Sequence, residues 1–469
     1  MATLRRSSLI PAKKQLEEKS EDSIDVYDDG KSLSRDKLAA AFVCMLGCMI
    51  QCASLTVLQP FFPGVAQSRG NDVTEIGIVF SVYPFIGFIS SPIIGKILSK
   101  DGSTKNMLIQ GLLLDGIFIC LMIPTTFLKS PAIFFLSTTA IRAVEALGYS
   151  MSLTCYYTLI STEFPDDICI LIPLVETLFG LGVMLGPAIG ELLYKIGGYY
   201  LPLMTLGIVT IFFAGVSYML LPKWATKITI CADKDEARSG MGTILRDPRA
   251  LWSLLIVAAA CTANGFNVTT LALYVKPFGL STVMASVVYT TYGVFYAIFS
   301  FISGFLCKII RDCRVMVISG ALCHVVGMCL LGPLPFIPIK TSVRLIILGQ
   351  ALIGIGHGGI FNCAYIHFLR HSVDNLGFPD NDRTYALVAG LVSTAFFFGS
   401  FAGPIFGGVA MDTMGYKVGT LVMAGTVLSV TVPLTIYYVF DVLKPEILKP
   451  VGIRGMSFDL GQARRVSQA

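Results

Sequence analysis

Twelve stretches of the chain run apolar for 20 residues or more, and polar or proline-bearing segments separate them. At a rise of about 1.5 Å per residue, each is long enough as a helix to cross the roughly 30 Å of a bilayer's hydrocarbon. The pattern predicts helices over residues 38–59, 74–97, 106–127, 131–161, 169–194, 200–221, 250–273, 283–309, 314–334, 342–368, 384–410 and 417–440. Pro60, Pro63, Pro131, Pro165, Pro222, Pro335 and Pro338 fall at or beside their ends, where a residue without an N–H does least harm. An all-α membrane protein with twelve transmembrane helices is the fold class this implies.

The fifth and eleventh stretches repeat one another. Gly182, Gly186, Pro187, Gly190, Gly198 and Tyr199 recur as Gly399, Gly403, Pro404, Gly407, Gly415 and Tyr416, always 217 residues on. Thr177/Thr394 and Phe179/Phe396 keep the same register. A weaker echo joins the second stretch to the eighth, with Gly95 and Gly304 at an offset of 209. Another joins the fourth to the tenth, with Arg142 and Gln350 at 208. Two pseudo-symmetric six-helix halves, 37–221 and 250–440, are expected around a connecting loop 222–249, with tails 1–36 and 441–469. Glycines four apart leave a helix groove that admits another backbone, and proline bends the helix. These motif residues are therefore expected at a pivot on which the halves rock.

Composition agrees and adds orientation. Of 469 residues, 54% are hydrophobic and 14% charged, with a mean hydropathy of +0.73, too apolar for one water-facing core. The net charge of +5 is small and scattered, which argues against nucleic acid. Lys96, Lys100 and Lys105 follow the second helix, Lys308, Arg311 and Arg314 the eighth, and loop 222–249 is basic too. The opposite connections carry about one basic residue each (Arg69, Lys129, Lys276). Both termini and the central loop are thus expected in the cytoplasm. Tail 1–36 mixes charges of both signs with serines and is expected to be disordered. None of the 13 cysteines forms a CxxC pair, and Cys44, Cys48 and Cys52 share one helix face as small packing residues. Metal sites and cofactors are not expected.

A charge held mid-helix costs about 3 kcal/mol on insertion scales, so those kept there need a partner or a task. Four stand out, all in the first half: Asp115, Arg142, Glu145 and Glu176. Arg142 and Glu145, at i and i+3, can pair. Glu176 has no local partner, and its repeat mate Ser393 cannot ionise. Such a buried carboxyl prefers to hold a proton until a cation takes its place. Gln51, Asn264, Asn267 and Tyr292 are the polar candidates for a substrate cavity. Tyr289, Tyr292 and Tyr296 lie on one face of the eighth helix, read mainly as packing, although aromatic faces also attract organic cations. His324 and His357 are read as packed residues rather than metal ligands.

Over residues 38–440 the chain resembles the major facilitator superfamily. Gly182-x3-Gly186-Pro187-x2-Gly190 resembles that family's antiporter motif, and Gly95 to Lys105 its loop motif after the second helix. The loop motif's usual acid is replaced by Ser99 and its arginine by Lys100. Pro60-Phe61-Phe62-Pro63, Glu176-Thr177 with Gly180-Leu181-Gly182, and Leu331-Gly332-Pro333 resemble the vesicular amine transporters, above all their polyamine branch. Gln51 stands where monoamine members carry an aspartate, and Val268-Thr269 where polyamine members carry Asp-Pro.

The resemblance implies a monomeric, proton-coupled antiporter of small organic cations, a polyamine or another amine, working by alternating access. A vesicular or endolysosomal membrane is expected, with the plasma membrane as alternative. A carrier of neutral or anionic solutes remains open, favoured if Arg142 is unpaired, as does a receptor or scaffold that kept the fold without transport. HExxH, GxSxG and paired-aspartate signals are missing from the chain, which argues against an enzyme.

Overall fold

Leucine, isoleucine, valine and alanine dominate segments whose backbone groups find no water in a bilayer, and only internal hydrogen bonding satisfies them there. A computed structural model describes residues 35–100, 103–221, 241–280, 282–310, 312–333 and 341–443. Most of both expected tails and residues 222–240 of the connecting loop lie outside these, as do Arg311, Pro335, Pro338 and the side chain of Tyr289. The helices are α1 (Arg35–Thr56), α2 (Phe62–Ser68), α3 (Val73–Lys100), α4 (Thr104–Leu121), α5 (Pro131–Glu163), α6 (Ile168–Gly197), α7 (Tyr200–Leu220), α8 (Met241–Arg246), α9 (Pro248–Val275), α10 (Thr282–Ile309), α11 (Cys313–Leu331), α12 (Val343–Asp374), α13 (Asp382–Thr413) and α14 (Gly415–Leu443). Among the described residues twelve helices are long and apolar enough to span a membrane, all but the short α2 and α8. Every expected end lies within six residues of the observed one. Helix α2 was not expected because Pro60 and Pro63 read as punctuation. Pro63 instead sits in its first turn, where an N–H would be orphaned anyway.

Side chains end several spans. Ser103 caps α4, Asp312 caps α11, Ser342 caps α12 and Asn381 caps α13, each accepting from a backbone N–H of the first turn. The turns after α6 and α13 pass through Gly198 at φ 65° and Gly415 at φ 74°, which explains why the repeat preserves both glycines. The tyrosines that follow do matching work: Tyr199 meets Phe61 edge-on, and Tyr416 stacks on Tyr274 at 3.8 Å.

Half one packs α1 on α6, α4 on α5 and α7, and α3 on α5. Half two packs α9 on α13, α10 on α12, and α11 on α12 and α14. Two seams join the halves, α3 against α13 and α6 against α10. Gly95 meets Gly390 backbone to backbone in the first, and Gly304 lies on Pro173 and the Cys169 carbonyl in the second. The repeat mates Phe179 and Phe396 meet between the seams, ring to ring at 5.7 Å.

One end of the bundle, called here the basic end, gathers Lys96, Lys100, Lys105, Lys308, the start of α1 and the end of α14. The halves are tied together there. Arg383 donates to the Ser99 carbonyl at 2.9 Å, the Ser161 and Tyr365 hydroxyls meet at 2.9 Å, and Arg370 reaches Cys169 Sγ at 3.0 Å. Lys308 and Asp167 approach to 3.9 Å. The loop motif's missing charge pair is thus replaced by a guanidinium on a carbonyl, while Lys100 itself is exposed.

The antiporter-type glycines do not sit where the sequence reading expected them. A Cβ on Gly186 would fall 2.5 Å from the Ala53 carbonyl of α1, and one on Gly403 2.4 Å from the Thr262 carbonyl of α9. Gly182 and Gly190 also face α1, and Gly399 and Gly407 face α9. These grooves hold each half together internally, with Pro187 and Pro404 inside the same helices. The close backbone approaches between halves belong to Gly95, Gly390 and Gly304.

Candidate functional site

Helices α5 and α6 form a hairpin about the turn at Phe164–Asp167, and that geometry decides what Glu176 meets. Tyr157 on α5 lies 19 residues upstream of Glu176, roughly as far before the turn as Glu176 lies after it, so the two side chains come level. The Glu176 carboxylate is 2% exposed and accepts hydrogen bonds from two hydroxyls, that of Tyr157 and that of Tyr296 on α10. One donor belongs to each half. The seam is tight here: Thr177 donates to the Ala297 carbonyl at 3.2 Å, and Gly180 leaves room for the Tyr296 ring, which a Cβ would meet at 2.8 Å. Rings from both halves enclose the place. Phe179 stands edge-on to Tyr296 and Phe396, and Tyr157 packs against Phe361 and Tyr365. Sequence reading left Glu176 without a partner and Tyr296 as packing. The hairpin register was the available signal for Tyr157; nothing in the sequence pairs α6 with α10.

A second polar group lies inside half one. Arg142 Nη1 and Glu145 Oε1 are 2.6 Å apart, with side chains 1% and 0% exposed, and the guanidinium lies 4.4 Å over the Tyr83 ring. Asp115 is fully buried nearby, within electrostatic reach of both and beside the Gln51 amide. Two carboxyls therefore share one guanidinium in a medium where an unmatched charge is expensive. Arg142 pairs with Glu145, not with Glu176.

The four cavity candidates divide. Gln51 is buried in half one and accepts from the Tyr156 hydroxyl at 2.8 Å. Asn267 and Gln350 exchange two hydrogen bonds of 3.0 Å inside half two, which makes Asn267 a tie between α9 and α12 and not a cavity residue. Asn264 is half-buried with its Oδ1 unpartnered among the described residues, and Tyr292 is half-buried and stacks on Tyr296 at 6.0 Å.

Charged groups cluster differently at the basic end of half two. Asp441 of α14 binds Arg249 and Arg314, the starts of α9 and α11. Asp247 accepts from the backbone N–H groups of Arg249 and Ala250 and lies 2.9 Å from His371 Nε2. Burial pushes the Asp247 carboxyl up, but the Ala250 N–H and the His371 ring outweigh it and hold the carboxyl below its usual range. Asp312, likewise pushed up by burial, is brought below it by Arg314.

A helical bundle in two six-span halves, with charges in its interior and one buried carboxylate bridged across the seam, has the architecture of a multi-pass membrane transporter. The chain belongs to the Major Facilitator Superfamily, whose family model matches residues 44–377 and 278–455. It is 27% identical to the mouse MFS-type transporter SLC18B1 over 419 residues, 88% of this chain and 89% of that one. The human MFS-type transporter SLC18B1 is 25% identical over 390 residues, 82% of this chain and 83% of the relative. These relatives bear out the resemblance to the vesicular amine transporter family. The fold is shared with the human organic anion transporter MFSD10 (TETRAN), at a TM-score of 0.64 and 16% identity, over 85% of this chain and 99% of that chain. The protein is thus a transporter of small molecules and not an enzyme.

Proposed function

We propose that the protein exchanges protons for a small organic cation, a polyamine or another amine, by alternating access. The observation that carries this reading is the Glu176 carboxyl, buried at the seam and held by one tyrosine from each half. An entering ammonium offers charge-assisted hydrogen bonds and competes with the Tyr296 hydroxyl for the carboxylate. Taking that place releases Tyr296 and with it a bond between the halves, so occupancy is linked to opening of the basic end. The surrounding rings favour an alkylammonium over a small hydrated ion. With no cation present, a proton neutralises the carboxyl, and substrate and proton thus exclude one another.

Asp115, beside the Arg142–Glu145 pair, holds a further proton within half one. That Arg142 is spent on Glu145 removes the feature that favoured an anionic solute. The basic loops support a cytoplasmic basic end, with both termini on that side. The motif resemblance to the vesicular amine transporters supports a vesicular or endolysosomal membrane.

Uptake of radiolabelled spermidine into proteoliposomes, with and without a pH gradient, tests this. Wild type should accumulate spermidine only with the gradient, Glu176→Gln should not, and Asp115→Asn should lose part of the uptake. Wild-type accumulation by Glu176→Gln, with unchanged pH dependence, would remove Glu176 from the mechanism.

A further inference from the structure

The middle of half two contains no Asp, Glu, Lys or Arg, yet it holds two histidines, His324 on α11 and His357 on α12. Both are buried, at 0% and 4% exposure. A neutral imidazole always presents one N–H donor and one lone pair. Neither ring nitrogen of His324 has a partner among the described residues, nor does Nδ1 of His357. His357 Nε2 has only the Cys261 thiol of α9, at 3.9 Å. Phenylalanine would fill these places without leaving polar atoms unmet. Two histidines kept in this condition call for a partner that arrives in another state of the cycle.

Their neighbours indicate what arrives. The His357 ring stands edge-on to Tyr296 at 5.5 Å and to Tyr292 at 6.1 Å, and the His324 ring lies 6.0 Å behind it. The titratable groups facing His357 are therefore Tyr292 and Tyr296 from α10, Cys261 from α9 and His324 from α11, with Glu176 of α6 one ring beyond through Tyr296. A charged imidazole there gains from the tyrosine rings beside it, against the cost of burying the charge. It is opposed by any cation that settles on Glu176.

We propose that His357, backed by His324, is the proton-holding site of half two, filled when no substrate occupies Glu176 and emptied when an ammonium does. The discharging step breaks one imidazolium N–H bond and passes the proton to water, leaving a neutral ring; nothing is oxidised or reduced. This rests on Glu176 as the cation site and adds one coupled proton to the one Glu176 carries.

The first test needs no substrate. Purified wild type should take up one proton more than His357→Gln between about pH 8 and about pH 4, a window wide enough to span the titration of a buried imidazole. His324→Gln serves as the second variant should the first fail to remain monodisperse in detergent. Equal uptake by wild type and variant overturns the proposal, whatever the protein carries. The second test adds spermidine to proteoliposomes. His357→Gln should still exchange labelled for unlabelled spermidine at equal pH, while losing about tenfold in steady-state accumulation for each unit of pH gradient, the effect of one uncoupled proton. An unchanged dependence on the gradient also overturns the proposal. Failure of wild type to exchange spermidine counts against the amine reading alone, because the proton count has already decided the role of the histidines.

Discussion

In half one, Arg142 faces Glu145 at 2.6 Å in the middle of the bundle; at the repeat-related place in half two, Gln350 trades two neutral hydrogen bonds with Asn267. The contrast extends through both halves. Half one buries Asp115, Arg142, Glu145 and Glu176 at membrane depth, and its Arg69 closes the non-basic end by donating to the carbonyls of Thr125, Thr126 and Leu128. Half two gathers Asp247, Asp312, Arg314 and Asp441 at the basic end and leaves amides and imidazoles inside. One backbone plan therefore supports two electrostatic designs. An ion pair in low dielectric is sensitive to the loss or gain of a single proton, whereas a reciprocal amide pair is indifferent to pH. The buried carboxyls lie in half one, and a half without interior carboxyls carries Tyr296 to them.

The largest difference should come from removing one partner of each interior pair. Arg142→Met leaves a buried carboxylate unmatched and should cost about 3–5 kcal/mol. Gln350→Leu leaves only an amide unmet and should cost about 1–3 kcal/mol. Thermal unfolding in detergent compares them, and equal losses would erase the distinction between the halves.

Glycine substitutions separate packing within a half from packing between halves. Gly186→Leu forces side chain into the α1–α6 groove and should destabilise half one by about 1–3 kcal/mol. Gly304→Leu meets the Cys169 carbonyl across the seam, so each half should stay folded while the basic end is propped open. Faster maleimide labelling of Cys169 at a nearly unchanged melting temperature is the expected signature. Reversal of the two phenotypes would place the pivot at the antiporter-type glycines after all.

The smallest effect concerns the clamp of half two. Asp247 accepts from two N–H groups at the start of α9, and Asp247→Asn should cost about 1 kcal/mol near neutral pH. Because the folded carboxyl lies below its usual range, its contribution is complete above the unfolded value of about 3.9 and is lost as pH falls through the folded one. The gap between wild type and variant should therefore narrow on acidification. A gap that widens in acid would show that Asp247 is not the charged acceptor the geometry makes it.

Hydrophobic run length and proline placement were enough to read all twelve spans, because a bilayer leaves the backbone few alternatives. The repeat was legible for a similar reason: Gly198 and Gly415 are needed at positive φ, and Gly186 and Gly403 at close backbone contacts, which no other side chain satisfies. Which helix each glycine faces was not legible, since a small residue looks the same at an intra-half groove and at a seam. Arg142 with Glu145 could be read from i, i+3 spacing. The Tyr296 bond to Glu176 spans 120 residues and two halves, and no local pattern encodes it.

The two seams have one further consequence. Gly95 rests on Gly390, and their respective repeat mates Gly304 and Pro173 rest on each other, while Phe179 meets its own mate Phe396. Residue i touches j and the copy of j touches the copy of i, which is the signature of an isologous contact between two like subunits. A true dimer built on that contact must present every seam residue twice, so any acid placed there comes as a pair of mutually repelling charges. Joining the subunits in one polypeptide lifts that parity rule. Glu176 stands opposite a serine at the position its copy would hold, and the seam can carry one carboxyl, an odd number that no symmetric pair of chains could offer.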